Sequence, residues 1–360
     1  MNKYFHYILS VLVLIFASCS VGQEKKVTQE PIKCDILISN GTIYDGSGSK
    51  PYLGSLAIED DKIIYVGENT SFEADTVIDA TGKAVSPGFI NMLSWGYYSL
   101  MDDGRGLSDL KQGVTLEIFG EGTSPGPYWE DGKFTSFGEA MSELEESGVS
   151  LNIASFLGAA TTRILEVGYE NRQANSSEMD RMRTHVENSM KEGAMGIGSS
   201  LIYAPGDYAS TEELTELSKV ASEYGGMYIS HLRSEGTKLL EALEELISIS
   251  RNANIPAEIY HLKASREPNW SKLDDVIKRV EEVRAEGLKI TADIYTYNAS
   301  STGLTGVIPT WVQEGGHKAW IERMKDPKVR PRLLKDIREQ LDEQPPEGIL
   351  MVGFKTSAMS

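Results

Sequence analysis

The stretch Gly226-Met-Tyr-Ile-Ser-His-Leu-Arg-Ser-Glu235 is followed about thirty residues later by a similar one, Ile255-Pro-Ala-Glu-Ile-Tyr-His-Leu-Lys-Ala264. Each is a short, apolar, β-favouring run that reaches a histidine, His231 in the first and His261 in the second. Residues 236–254, between them, carry leucine and isoleucine at the spacing of an amphipathic helix. The pattern predicts two parallel strands joined by a helix, with both imidazoles at the same end of the sheet. Two histidines in that arrangement indicate a shared metal site.

The composition is typical of a loop-rich α/β protein with a substantial core. The 360 residues suffice for one large domain or two ordinary ones. A hydrophobic share of 40% and 34 glycines argue against disorder and against a fibrous protein. The net charge of -18 argues against nucleic acid as a partner, because binding to phosphates needs basic patches.

The N-terminus has the pattern of a secretory signal peptide over residues 1–18. Lys3 supplies the positive start, and residues 7–16 form an apolar run that is shorter than the roughly 20 residues of a membrane-spanning helix. Cys19 follows a small-residue cleavage site and resembles the cysteine of a bacterial lipobox. We expect an exported lipoprotein, anchored through a lipid on Cys19 at the periplasmic or outer-membrane face, with residues 19–32 as a tether. The alternative is a soluble secreted protein that is cut nearby.

Residues 33–84 predict a small β-module. Residues 35–44 alternate apolar and polar side chains and end in the turn signal Asp45-Gly46. Residues 54–59 and 62–67 read as a hairpin around Asp60-Asp61. The module is too thin to bury a core of its own.

The segment Val85-Ser-Pro-Gly-Phe-Ile-Asn-Met-Leu93, which follows the β-module, resembles the opening of amidohydrolase superfamily proteins. Later blocks resemble, more narrowly, the D-aminoacylase or N-acyl-D-amino-acid deacylase family. The resemblance runs from about Cys34 to the end of the chain, with the blocks in the family's order. These later blocks are residues 193–206, 208–213, the His231 and His261 stretches, and 293–303.

The resemblance implies a TIM-like (β/α) barrel whose strand ends carry zinc, with a β-sandwich built from N-terminal and C-terminal segments. Apolar runs that alternate with helical stretches support parallel β/α units independently. These runs are residues 86–93, 114–120, 150–157, 194–199, 227–231, 257–262 and 288–294. A closed barrel needs eight strands. We therefore predict an α/β fold in which residues 85–360 form a barrel that is incomplete at the C-terminus, with a helical insertion from about residue 304.

The sequence departs from the family at the first barrel strand. The family's His-x-His pair corresponds here to Leu93 and Trp95, neither of which ligates zinc. This departure from the family pattern therefore indicates one zinc ion in place of two. Trp95, Tyr97 and Tyr98 either wall an apolar substrate pocket or are ordinary core or lid aromatics.

A second departure follows the second strand, where Glu121 stands in the place of a cysteine ligand of the family. A carboxylate is also a legitimate zinc ligand. Glu121, His231 and His261 would then hold one zinc ion and leave an open position for water, as in catalytic zinc sites. The alternatives are a solvated loop carboxylate for Glu121 and core or hydrogen-bonding roles for the histidines.

Four further residues are candidates for substrate binding. Lys263 lies two residues beyond His261 and, on a continuing strand, would face the same side; the matching lysine of the family helps to hold the substrate carboxylate. Arg233 stands in the same relation to His231, and for both cations the alternative is a salt bridge at the barrel mouth. Tyr203 and Ser300 match positions that line the family's pocket, although Ser301 fits as well as Ser300.

The resemblance implies a zinc-dependent hydrolase of the amide bond in N-acyl-D-amino acids or related acyl-amino compounds, small molecules that would be its partners. The family's acid/base aspartate lies at the end of strand eight, for which we find no matching region, so the catalytic residue stays unassigned. Asp293 ends strand seven and matches the wrong strand. We expect a truncated version of a longer protein, inactive by itself; the alternative is a catalytically silent barrel that retains ligand or metal binding.

Overall fold

The computed structural model describes residues 30–68, 70–127, 136–343 and 346–351. The chain divides into two units, one that ends at Pro87 and one that begins at Gly88. The predicted signal peptide, Cys19 and most of the predicted tether lie outside the described residues. No helix in the described part of the chain is long and apolar enough to cross a membrane.

The first unit is a five-stranded sheet in which β1 is the central strand. β1 pairs antiparallel with β2 and parallel with β4 and β5. β2 and β3 form the predicted hairpin, so the small N-terminal β-module is confirmed. The strands are β1 (Ile32–Ile43), β2 (Tyr52–Glu59), β3 (Lys62–Gly67), β4 (Phe72–Asp79) and β5 (Ala84–Val85).

The described residues of the second unit contain seven parallel barrel strands, and the predicted barrel fold is confirmed. The third of these strands is broken at Phe156, so that β8 pairs with β7 and β9 pairs with β10. Among the described residues, no strand joins β6 to β13, and the strands form an open arc. They are β6 (Phe89–Asn91), β7 (Val114–Phe119), β8 (Asn152–Ser155), β9 (Leu157–Gly158), β10 (Gly196–Ser200), β11 (Met227–His231), β12 (Ala257–Ile259) and β13 (Ile290–Ala292).

Helices connect consecutive strands of this arc. The side chains of Asn175 and Glu178 form a capping box at the start of α5, and Ser210 caps α6. The helices are α1 (Tyr97–Asp102), α2 (Leu107–Leu110), α3 (Phe137–Glu146), α4 (Ala159–Glu166), α5 (Ser176–Lys191), α6 (Thr211–Glu223), α7 (Leu239–Ala253) and α8 (Lys272–Ala285).

The predicted helical segment from about residue 304 corresponds to three further helices with a small core of their own. They are α9 (Thr310–Gln313), α10 (Gly316–Lys325) and α11 (Arg330–Glu343). Val312, Trp320 and Leu333 are the buried residues of this core. The guanidinium of Arg332 lies 3.9 Å from the ring centre of Trp311, a cation–π contact that links α11 to α9.

Side chains of the barrel strands alternate between two cores, and this alternation positions the candidate site. In β11, Tyr228 lies in the large core between strands and helices. Ile229 lies instead in an inner cluster with Ile118 and Tyr260. Because His231 follows Ile229 by two residues, its imidazole also faces inward, at the carboxyl end of the strand.

A buried ion pair links α4 to α6. The Arg163 Nη1 and Glu213 Oε2 atoms are 2.7 Å apart, and the two side chains are 0% and 3% exposed. Burial raises the pKa of the Glu213 carboxyl despite the opposing charge of Arg163. The carboxylate is therefore stable in this position only with its cation.

We expect Arg163→Met to lower the free energy of unfolding by about 3–5 kcal/mol, because Glu213 would be left buried without its cation. Urea unfolding followed by circular dichroism measures this loss. The matched control is Arg183→Met, which breaks a half-exposed pair between Arg183 of α5 and Glu216 of α6, the helix that also carries Glu213. A surface pair of that kind contributes about 1 kcal/mol or less. Equal losses in the two variants would contradict the assignment.

Candidate metal centre

Glu121 is brought into the site by a glycine turn after β7. Gly120 has a φ of 104°, and a Cβ at this position would lie 2.2 Å from the carbonyl oxygen of Phe156. Only glycine combines this backbone conformation with so close an approach. The turn buries the Glu121 side chain, which is 7% exposed, at the end of the strand arc.

The two predicted histidines meet at Glu121. The His231 and His261 ring centres are 4.5 Å apart with the planes nearly perpendicular. Glu121 Oε1 lies 2.9 Å from His231 Nδ1 and 3.7 Å from His261 Nε2. One ligand atom from each residue lies within 4.8 Å of the others. The structure thus brings together the three residues that the sequence analysis selected as ligands.

His261 holds an unusual backbone conformation, and Asp293 supports it. The residue has a φ of 36°, in the left-handed region that non-glycine residues seldom occupy. Its backbone N–H donates to Asp293 Oδ1 over 2.7 Å. Asp293 follows β13, so one carboxylate connects the ends of two neighbouring strands. In this structure Asp293 supports the loop that carries a candidate ligand.

Glu235 is a second, half-buried carboxylate of the site that the sequence analysis did not select. Its Oε1 atom lies 3.0 Å from His261 Nδ1, 3.7 Å from His231 Nε2 and 2.5 Å from Lys263 Nζ. The available signal was its position in the loop after β11, since polar side chains in such loops converge at the carboxyl end of a barrel.

The carboxylates and imidazoles shift one another's pKa values. Burial favours the neutral acids, but the imidazoles, with Trp95 for Glu121 and Lys263 for Glu235, lower both carboxyl pKa values to about 2. Burial also lowers the pKa of His261, yet Glu121 and Glu235 outweigh it and raise that pKa to about 9. The site therefore favours positive charge between its two carboxylates.

These residues fit a metal ion. Imidazole and carboxylate are ordinary zinc ligands, and all three ligand candidates converge from separate strand ends. His231 Nε2 is buried and has no hydrogen-bond partner among the described residues. An unpartnered buried nitrogen is costly unless something binds it. A cation held here would also replace the proton on His261.

The two predicted substrate-binding cations have different surroundings. Lys263 lies in the site, where its ammonium donates to Glu235 and, over 3.1 Å, to the His261 carbonyl oxygen. Arg233 instead pairs with both carboxylate oxygens of Glu245 at 2.8 Å. It also donates to two backbone carbonyls of the neighbouring loop. For Arg233 the structure shows the salt-bridge alternative.

Tyr203 borders the site, whereas Ser300 is an exposed residue. The Tyr203 ring centre is 5.6 Å from that of His231, and its hydroxyl lies 2.7 Å from Thr302 Oγ1. Ser300 is exposed and hydrogen-bonds with Tyr295. The ring of Tyr295, another residue that the sequence analysis did not select, lies 6.3 Å from His261.

The three aromatic residues after β6, Trp95, Tyr97 and Tyr98, also have different surroundings. Tyr97 is a core residue, 5% exposed, whose hydroxyl donates to the Ala140 carbonyl. Tyr98 is 68% exposed. Trp95 reaches the site, because its indole N–H donates to Glu121 Oε2 over 2.9 Å.

Comparison with known proteins identifies relatives of the chain. No family model matches the chain. The chain is 30% identical over 285 residues to D-aminoacylase from Alcaligenes xylosoxydans xylosoxydans. That match covers 75% of this chain and 59% of the relative, so the chain spans less than two thirds of the relative's length.

Two solved structures have similar folds. N-acyl-D-glutamate deacylase from Bordetella bronchiseptica, complexed with zinc and a phosphonate mimic of the tetrahedral intermediate, matches with a TM-score of 0.67 and 26% identity. The match covers 74% of this chain and 59% of that chain. A D-aminoacylase structure that addresses a binuclear metal centre matches with a TM-score of 0.68 and 28% identity, over 73% of this chain and 59% of that chain. Sequence and fold thus confirm the resemblance of the chain to the D-aminoacylases and N-acyl-D-amino-acid deacylases of the amidohydrolase superfamily.

Proposed function

We propose that the protein is a zinc-dependent amidohydrolase that cleaves the amide bond of N-acyl-D-amino acids or related acyl-amino compounds. The observation that carries this proposal is the convergence of Glu121, His231 and His261, all within 4.8 Å, at the carboxyl end of the strand arc. The D-aminoacylase relative and the zinc-bound deacylase supply the substrate class.

In this proposal Glu121, His231 and His261 hold one zinc ion. When bound, zinc supplies a Lewis acid and lowers the pKa of its bound water to about 7. Asp293 keeps the His261 backbone in the conformation that turns its imidazole toward Glu121. Glu235 hydrogen-bonds to the other nitrogen of the same ring, which fixes the ring's orientation.

The substrate contacts come from side chains around this centre. Lys263, 21% exposed, carries the positive charge that would bind the substrate carboxylate. Tyr203 borders His231 and Tyr295 borders His261, so the two rings enclose the reacting amide and limit the access of water. We assign Ser300, through its contact with Tyr295, to the outer edge of the pocket.

The metal assignment predicts that the purified protein binds one equivalent of Zn²⁺, measured by competitive titration and elemental analysis. We expect His231→Ala and Glu121→Ala to weaken zinc binding by more than about 100-fold, beyond the range for residues that only support a ligand. His185→Ala is the matched control, because His185 pairs with Glu166 away from the site. Zinc affinity of the wild-type level in His231→Ala would contradict the assignment.

The activity assignment predicts that the zinc-loaded protein, expressed from its complete coding sequence, hydrolyses N-acetyl-D-amino acids in preference to their L enantiomers. We expect Lys263→Met to raise KM by about 10- to 100-fold, since a hydrogen bond to a charged group contributes about 1.5–3 kcal/mol. An N-acyl amine that lacks the carboxylate should show a much smaller change. Stoichiometric zinc binding without turnover of either enantiomer would overturn the hydrolase proposal and favour a silent metal-binding barrel.

A further inference from the structure

We propose that Trp95 is a positioning residue for Glu121, and that its indole N–H makes the carboxylate a one-oxygen ligand for the metal. This inference rests on the proposed metal centre. It adds a residue that positions one of the three proposed ligands. It starts from the different contacts of the two Glu121 carboxylate oxygens.

The two Glu121 oxygens have different partners. Oε1 faces the imidazoles, at 2.9 Å from His231 Nδ1 and 3.7 Å from His261 Nε2, and Ser200 Oγ donates to it over 3.4 Å. Oε2 accepts the Trp95 indole N–H over 2.9 Å. An indole N–H only donates and has no lone pair for a metal. Trp95 thus turns Oε2 away from the histidines and leaves Oε1 as the oxygen that faces an ion between them.

Burial does not explain why the indole stays in place, because Trp95 is 64% exposed. Its neighbours explain it. The Ser94 N–H donates to the Ile118 carbonyl oxygen over 2.8 Å, and Ser94 Oγ donates to Glu117 Oε2 over 2.6 Å. The Gly96 N–H in turn donates to Ser94 Oγ over 3.0 Å. The residues on both sides of Trp95 are therefore tied directly or through Ser94 to β7.

Gly96 leaves the space that this anchoring hydrogen bond occupies. A Cβ at position 96 would lie 2.6 Å from Glu117 Oε2 and 2.9 Å from Ser94 Oγ, the two atoms of the anchoring hydrogen bond. Glu117 is 3% exposed and has little room to move. A side chain at position 96 would thus displace the segment that carries Trp95.

The strand β7 therefore connects the two residues: Glu121 follows its end, and the segment that carries Trp95 is hydrogen-bonded to it. Glu121 lies two residues beyond the end of β7, and Glu117 and Ile118 lie within it. This connection gives the exposed tryptophan a defined geometry relative to a buried carboxylate.

The test compares Zn²⁺ affinity among four variants of the full chain, with Co²⁺ absorption spectra as a second readout of ligand geometry. We expect Trp95→Phe, which keeps the ring and removes the N–H, to weaken zinc binding by about 10- to 100-fold. Its melting temperature without metal should fall by only a few degrees, because the change removes a single hydrogen bond to the buried Glu121 carboxylate. Gly96→Ala should weaken zinc binding in the same direction. Tyr98→Phe, at a neighbouring exposed aromatic, should leave zinc binding unchanged.

Wild-type affinity and an unchanged Co²⁺ spectrum in Trp95→Phe, with strong loss in Glu121→Ala, would overturn the role of Trp95 and leave the metal centre standing. Wild-type affinity in both Trp95→Phe and Glu121→Ala would overturn the metal centre itself. A lower melting temperature of Trp95→Phe with unaltered zinc affinity would show a merely structural role and would also overturn the inference.

Discussion

A carboxylate buried between two imidazoles is the constraint on which the rest of the site depends. Glu121 is 7% exposed, and a buried carboxylate is costly unless charge and hydrogen bonds compensate for it. Here the compensation comes from His231, His261 and Trp95. Each of these residues reaches Glu121 from a different strand end, so the parallel arrangement of the strands is what makes the compensation geometrically feasible.

The site contains ionisable groups besides the three proposed ligands, and these further groups support the positions of the ligands. Glu235 holds the far side of the His261 ring, and Lys263 balances the second carboxylate. Asp293 stabilises a backbone conformation at His261 that is unfavourable without support. These contacts hold the candidate ligands in place and so limit the reorganisation that the proposed metal binding would require.

The first barrel strand shows how this chain differs from the pattern that its resemblance implies. Leu93 and Trp95 stand where a His-x-His pair is expected. Leu93 packs against the inner apolar cluster, and Trp95 donates to Glu121. Position 93 thus contributes to the inner apolar cluster, and position 95 donates a hydrogen bond to Glu121.

From the sequence alone, local periodicity and turn signals determined the order of strands and helices and the residues at the strand ends. Alternating apolar runs and helical spacings predicted the parallel strands, and glycines around Glu121 marked it as a residue at a strand end. The two strand-terminal histidines could be paired because parallel strands align their carboxyl ends. These features depend on neighbouring residues or on one rule of topology.

Only the tertiary structure decided the contacts between loops. β11 ends at His231, so strand alternation no longer governs Arg233, which turns to Glu245. Trp95 and Glu121 are separated by 26 residues, and His261 and Asp293 by 32. Neither spacing encodes a contact, because the path of each loop depends on how the strands and helices pack. The sequence thus determined which residues stand at the strand ends, and packing decided which of them meet.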